Sequence, residues 1–180
     1  MADKTSPVWH PFTQHALADP PLEIARAEGA YLHTAEGRTI LDAISSWWVN
    51  THGHGHPHIV QAIKNQAERL EQVIFAGFTH EPAERLARKL LTVAPKGLAY
   101  VFFSDSGSTS VEVALKMALG FWLHAGEDRR HILALEGAYH GDTIGGMSVG
   151  ERSVFNGERD ERITVLGLDL RGMLWIGRSS

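Results

Sequence analysis

Ala99-Tyr-Val-Phe-Phe-Ser104, then Asp105-Ser-Gly-Ser-Thr109 opening a run to His124, then His131-Ile-Leu-Ala-Leu-Glu136: this stretch decides the fold. Its first and last runs are short, apolar and rich in strand formers. Between them Val111, Ala114, Leu115, Ala118, Leu119 and Trp122 recur at helical spacing, which predicts a helix over about 109–124. Strand, helix, strand in that order is a βαβ unit, and a βαβ unit implies a parallel sheet inside an α/β domain.

Two further helices precede it. One is predicted over 57–72: Pro57 suits a first helical position, and Ile59, Ile63, Ala67, Leu70 and Ile74 fall on one face. Another is predicted over 82–93, with Ala83, Leu86, Ala87 and Leu90 facing a core and Pro95 and Gly97 as stops. Tyr31-Leu-His33 and Thr39-Ile-Leu41 flank Ala35-Glu-Gly-Arg38, a hairpin with glycine at its turn. Residues 1–21, rich in Pro and His, read as an arm. Ile163–Leu170 could start a further strand, after which Arg171–Ser180 stops short; the chain is expected to be the front part of something larger, from a truncated or frame-shifted reading frame.

The 180 residues carry a net charge of -4, with 43% hydrophobic and 21% charged residues, an ordinary globular balance whose length suits one domain with a real core. The absence of cysteine excludes disulfides, thiolate zinc sites and cysteine nucleophiles. No apolar run approaches the roughly 18 residues of a membrane span, no secretory h-region precedes Ser6, and no Lys/Arg block marks a nucleic-acid footprint. A cytoplasmic protein without membrane or nucleic-acid partners is expected.

Three segments could carry chemistry. Ser104–Ser110 ends the first strand and opens a helix, where unpaired N–H groups, the helix dipole and small hydroxyls make an anion seat; the same residues also read as plain N-capping. Glu136–Thr143 follows a strand on the same side of the sheet, so Tyr139 could lie on a planar ring and His140 could hydrogen-bond or transfer protons; a turn with an aromatic plug is the alternative. Ser45–His58 holds Trp47, Trp48 and alternate histidines at 52, 54, 56 and 58, which read as a His-rich turn before a metal site, since two glycines and a proline break the strand.

Together these segments resemble the class III, pyridoxal-phosphate-dependent aminotransferases of fold type I. The matching residues are Trp9-His-Pro-Phe-Thr-Gln14, Leu41–Trp48, Gly53-His-Gly-His-Pro57, Phe78–Ala83, Ser104–Ser108, Val111–Ala118 and Tyr139-His-Gly-Asp-Thr143, in the family's order over about residues 8–155. The double Trp and the His-Pro-Phe-Thr arm resemble the branch that serves biotin biosynthesis. The resemblance implies an arm and small-domain hairpin over 1–56, the first part of the cofactor-binding large domain over 57–165, and an atypical tail over 166–180. It implies pyridoxal 5'-phosphate as cofactor, with Gly107, Ser108, Tyr139 and His140 as cofactor-binding residues, the first two at the phosphate and Tyr139 over the ring. It implies Trp47, Tyr139 and Phe12 as substrate-binding residues and a homodimer as the intact enzyme. The implied reaction moves the amino group of S-adenosylmethionine to 8-amino-7-oxononanoate and gives 7,8-diaminononanoate.

Two departures matter. Phe12 stands where a known family member has Tyr, a lost hydroxyl that bears on amino-acceptor binding or rate. The Schiff-base Lys is missing: none of Lys4, Lys64, Lys89, Lys96 and Lys116 lies in that motif, and Lys116 reads as a snorkelling helix residue. No catalytic residue is therefore present, no metal is implied, and the chain alone is expected to be inactive. The alternatives are a piece of another class III ω-aminotransferase, or a non-catalytic fragment that pairs with an intact subunit.

Overall fold

Strand-forming residues on either side of tight turns dictate the first part of the chain, and the computed structural model closes them into a meander. It describes residues 6–135, 137–151, 164–168 and 174–176. Contacts divide the chain into two compact units, Met1–Glu81 and Pro82–Ser180.

In the first unit β1 (Ile24–Glu28), β2 (Tyr31–Thr34) and β3 (Thr39–Leu41) form an antiparallel sheet in that order, with Glu28 opposite Tyr31 and Leu32 opposite Ile40. The expected hairpin is β2–β3. Its turn is tied by the Thr34 N–H to the Arg38 carbonyl (2.9 Å), and Gly37 takes φ 86°, a value that favours glycine. A short turn, α1 (Ser45–Trp48), leads to α2 (Pro57–Arg69). The latter stops before the expected residue 72 because Leu70 is extended (φ -169°, ψ 109°), with the Gln66 amide donating to its carbonyl at 2.7 Å.

The second unit carries α3 (Glu81–Val93, starting at the boundary), α4 (Gly107–His124), β4 (His131–Leu135), α5 (Ile144–Val149), β5 (Thr164–Leu168) and β6 (Leu174–Ile176). β4 and β5 run parallel, from His131 opposite Thr164 to Leu135 opposite Leu168, and β6 joins β5 antiparallel. The parallel pair that defines the α/β class is thus present, and the strand expected from residue 163 is β5. The strand expected at 99–104 is not: among the described residues that run has no ladder partner. Strand propensity alone does not make a strand, which needs a neighbour's N–H and C=O groups. The crossover helix between the paired strands is α5. The tail assigned to 166–180 lies largely outside the described residues, which take from it only the end of β5 and the strand β6.

The expected core faces are not covered. Ile59, Ile63 and Ile74, and Leu86 and Leu90 of α3, are exposed. Among the described residues the buried hydrophobic side chain is Val149, on α5. In the second unit α5 packs on α4 and buries Gly145, Gly146, Ser148 and Val149, and its two glycines allow that approach.

Candidate functional site

The N-terminal turn of α4 is built by its own hydroxyls. Ser106, extended at φ -155°, caps the helix: the Thr109 N–H donates to Ser106 Oγ at 3.1 Å and the Ser106 N–H to Thr109 Oγ1 at 2.9 Å. The capping alternative is therefore real, yet it spends only the Ser106 and Thr109 donors. Among the described residues the N–H groups of Gly107 and Ser108 have no acceptor. They point from the positive end of an 18-residue helix, the arrangement that receives anions. A Cβ added to Gly107 would meet nothing within 4 Å.

The loop after β4 is locked onto this turn. Gly141, at φ 103°, lies so close that an added Cβ would stand 2.1 Å from Ser108 Oγ and 2.7 Å from Ser108 Cα. The Thr143 hydroxyl faces the Ser108 carbonyl at 3.5 Å. One turn further along α4, Glu112 accepts from the Gly146 N–H at 3.2 Å. Ser108 and Glu112 share a helix face, so one face of α4 grips both the loop and α5. The structure thus brings Ser108 against the loop that carries Tyr139 and His140. Tyr139 is exposed, and its hydroxyl donates to Asp142 Oδ2 at 3.0 Å. That hydrogen bond, with desolvation and the carboxylate's charge, pushes the phenol above its ordinary pKa. His140 is half-buried, and Lys116 is exposed on α4.

The other predicted residues lie in the first unit. Phe12 and Trp47 stack, with ring centroids 5.8 Å apart and planes 13° off parallel. Trp47 sits in a turn of unusual hand: Ser45, Ser46, Trp47 and Trp48 take φ of 51°, 47°, 68° and 74°. The Trp48 N–H donates to Ile44 and the Val49 N–H to Ser45 (2.8 and 3.1 Å), so α1 is one left-handed helical turn. For L-residues this costs roughly 1–2 kcal/mol per residue against the right-handed form. Asp42 receives the Ser46 N–H (2.9 Å), the Ser46 hydroxyl (2.8 Å) and His54 Nε2 (2.8 Å). Its side chain is only 4% exposed. The Ser46 N–H first, then His54 and the Ser46 hydroxyl, hold its carboxyl down at about 2. Asn50 Nδ2 lies 2.7 Å from His54 Nδ1.

The histidine turn is thereby explained. His54 is taken up by Asp42 and Asn50, its backbone exchanges two hydrogen bonds with Gly29, and His52 and His56 meet edge to face at 6.1 Å. Among the described residues no group of three metal-ligating side chains exists. Sequence reasoning missed Asp42, His54, Glu112 and Asp142 as working residues. The four-residue spacing of Asp42 and Ser46 was a usable signal; the twelve-residue gap to His54 was not.

The signature of the aminotransferase class-III family matches residues 13–158. The chain belongs to the class III aminotransferases. A relative named adenosylmethionine-8-amino-7-oxononanoate aminotransferase, from Synechococcus elongatus, is 60% identical over 149 residues, covering 83% of this chain and 35% of the relative. The crystal structure of the like-named protein from Methanocaldococcus jannaschii superposes with a TM-score of 0.77 at 40% identity, over 83% of this chain and 35% of that one. An amine transaminase from an uncultivated Pseudomonas species, in PLP-bound form, gives 0.79 at 34% identity, over 90% and 38%. The chain spans about a third of the length of these relatives. As in those proteins the fold is α/β, of fold type I, and partial.

Proposed function

We propose that this chain carries the phosphate-binding end and part of the substrate wall of a biotin-pathway aminotransferase, one that takes the amino group of S-adenosylmethionine to 8-amino-7-oxononanoate as a cytoplasmic homodimer. The observation that carries the reading is the pair of unspent amides at Gly107 and Ser108, with the Tyr139 loop locked beside them. The names of relatives at 60% and 40% identity supply the substrate class.

The residues fit pyridoxal 5'-phosphate, which when bound supplies an electron sink for chemistry at the substrate carbon. The Gly107 and Ser108 amides would donate to its phosphate, with the helix dipole adding to each bond. Asp142 fixes the Tyr139 hydroxyl and so the phenol that would cover the cofactor ring. His140 would complete that pocket. Phe12 and Trp47 offer a stacked aromatic wall for substrate, without the hydroxyl a tyrosine at position 12 would bring. No lysine of this chain stands in the family's catalytic motif, so no group here takes and returns the proton at the substrate α-carbon, and the chain alone is inactive.

A hybrid tests this: residues 8–155 replace the aligned stretch of the Synechococcus elongatus relative. Mass spectrometry should find 7,8-diaminononanoate with S-adenosylmethionine as donor, and none from the 180-residue chain. Turnover by the chain alone would contradict its inactivity. The likeness to an amine transaminase favours a second reading, in which the hybrid works with simple amines and not with S-adenosylmethionine.

A further inference from the structure

We infer that Asp42 is a positioning residue, whose carboxylate holds the left-handed Ser45–Trp48 turn and thereby keeps Trp47 stacked on Phe12. Four consecutive L-residues at positive φ are costly, and the backbone bonds of the turn, to Ile44 and Ser45, would form as readily in the right-handed form. Something outside the turn must select its hand. Asp42 makes three bonds that do so. It takes the Ser46 N–H and hydroxyl from the middle of the turn, and it takes His54 Nε2 from the strap beyond it. His54 is itself fixed, by Asn50 just past the turn and by a backbone pair with Gly29 at the β1–β2 connection. The carboxylate therefore ties the turn to the sheet. Its nearly complete enclosure leaves the bonds little competition from water. The result of the odd hand is the placement of Trp47 against Phe12, which also takes a positive φ of 56°. The consequence for substrate selection rests on reading Phe12 and Trp47 as a pocket wall; the coupling of Asp42 to the stack does not.

The test uses the chain labelled with 5-fluorotryptophan, whose five tryptophans give separate fluorine signals. Trp47→Phe identifies the Trp47 signal, and Phe12→Leu shows where it falls without the neighbouring ring. Asp42→Ala is expected to move the Trp47 signal to the Phe12→Leu position and leave Trp122, in the other unit, unmoved. Adding Ser45→Gly, which makes positive φ free of steric cost at residue 45, is expected to move it back toward the native position. A Trp47 signal that ignores Asp42→Ala overturns the proposal. So does one that ignores Phe12→Leu, since there is then no stack to position. If Asp42→Ala shifts all five signals together, or if Ser45→Gly restores nothing, the carboxylate supports the unit at large and the proposal fails. Neither cofactor nor substrate is present, so failure of the functional reading would leave these signals as expected.

Discussion

Asp42 shows how much one side chain decides. Its carboxyl sits at about 2 in the fold against 3.8 as the ordinary value, held there chiefly by the Ser46 N–H and His54. A lowered folded pKa means the ionised form is the stabilising one. That contribution is complete above pH 3.8 and is lost as pH falls through about 2. Near-UV circular dichroism of the Trp47–Phe12 region should hold steady down to about pH 4 and decay below it. Loss of the signal already at pH 5 would contradict this origin, and Asp42→Asn should remove the acid limb. Gly141 is the second such residue. It combines φ 103° with backbone contact to Ser108, so Gly141→Ala is expected to cost about 2–4 kcal/mol in the second unit, by denaturant titration. A cost under about 0.5 kcal/mol would mean that the loop is not locked there. Only the Asp42–Ser46 bond, at four-residue spacing, left a signal in the sequence; the rest of these two residues' work did not. Asp42 meets His54 across twelve positions, and Ser45–Trp48 holds no glycine to announce a left-handed turn.

At the scale of elements, legibility followed periodicity. α2, α3 and α4 stand where their stripes put them, because 3.6-residue spacing is a property of the chain itself. The run 99–104 failed as a strand because a strand is a property of two chains side by side. α5 escaped notice because Gly145 and Gly146 argue against a helix, and only packing on Glu112 repays them. That packing has a signed consequence. A Cβ at Gly145 would lie 2.5 Å from Glu112 Oε2, so Gly145→Ala should destabilise the native chain. In a Glu112→Ala background the clash is gone, and the same change should stabilise by up to about 1 kcal/mol, the helix preference of Ala over Gly. A double-mutant cycle by thermal denaturation measures the coupling; additivity would refute the contact.

Taken whole, the chain has a candidate site better formed than its core. The α4 turn and the Tyr139 loop are joined by the Thr143–Ser108 hydrogen bond and the close approach of Gly141, while apolar residues on the stripes of α2 and α3 are exposed. Relatives more than twice as long match it over most of its own length, and exposed apolar stripes such as these are surface for further chain or a partner to bury. The 180-residue chain should bind an apolar dye such as ANS strongly, and the full-length hybrid should bind it weakly; equal binding would mean that the stripes are not interior surface. Whether the α4 terminus seats a phosphate is read by calorimetric titration of the chain with pyridoxal 5'-phosphate against pyridoxal. Gly107→Pro deletes one amide donor at a first helical position where proline is tolerated, after an extended Ser106 that suits it. A clear preference for the phosphorylated form is expected, reduced about tenfold or more in Gly107→Pro, the worth of one charge-assisted hydrogen bond. Equal affinity for the two forms, or a preference that Gly107→Pro leaves untouched, would contradict it.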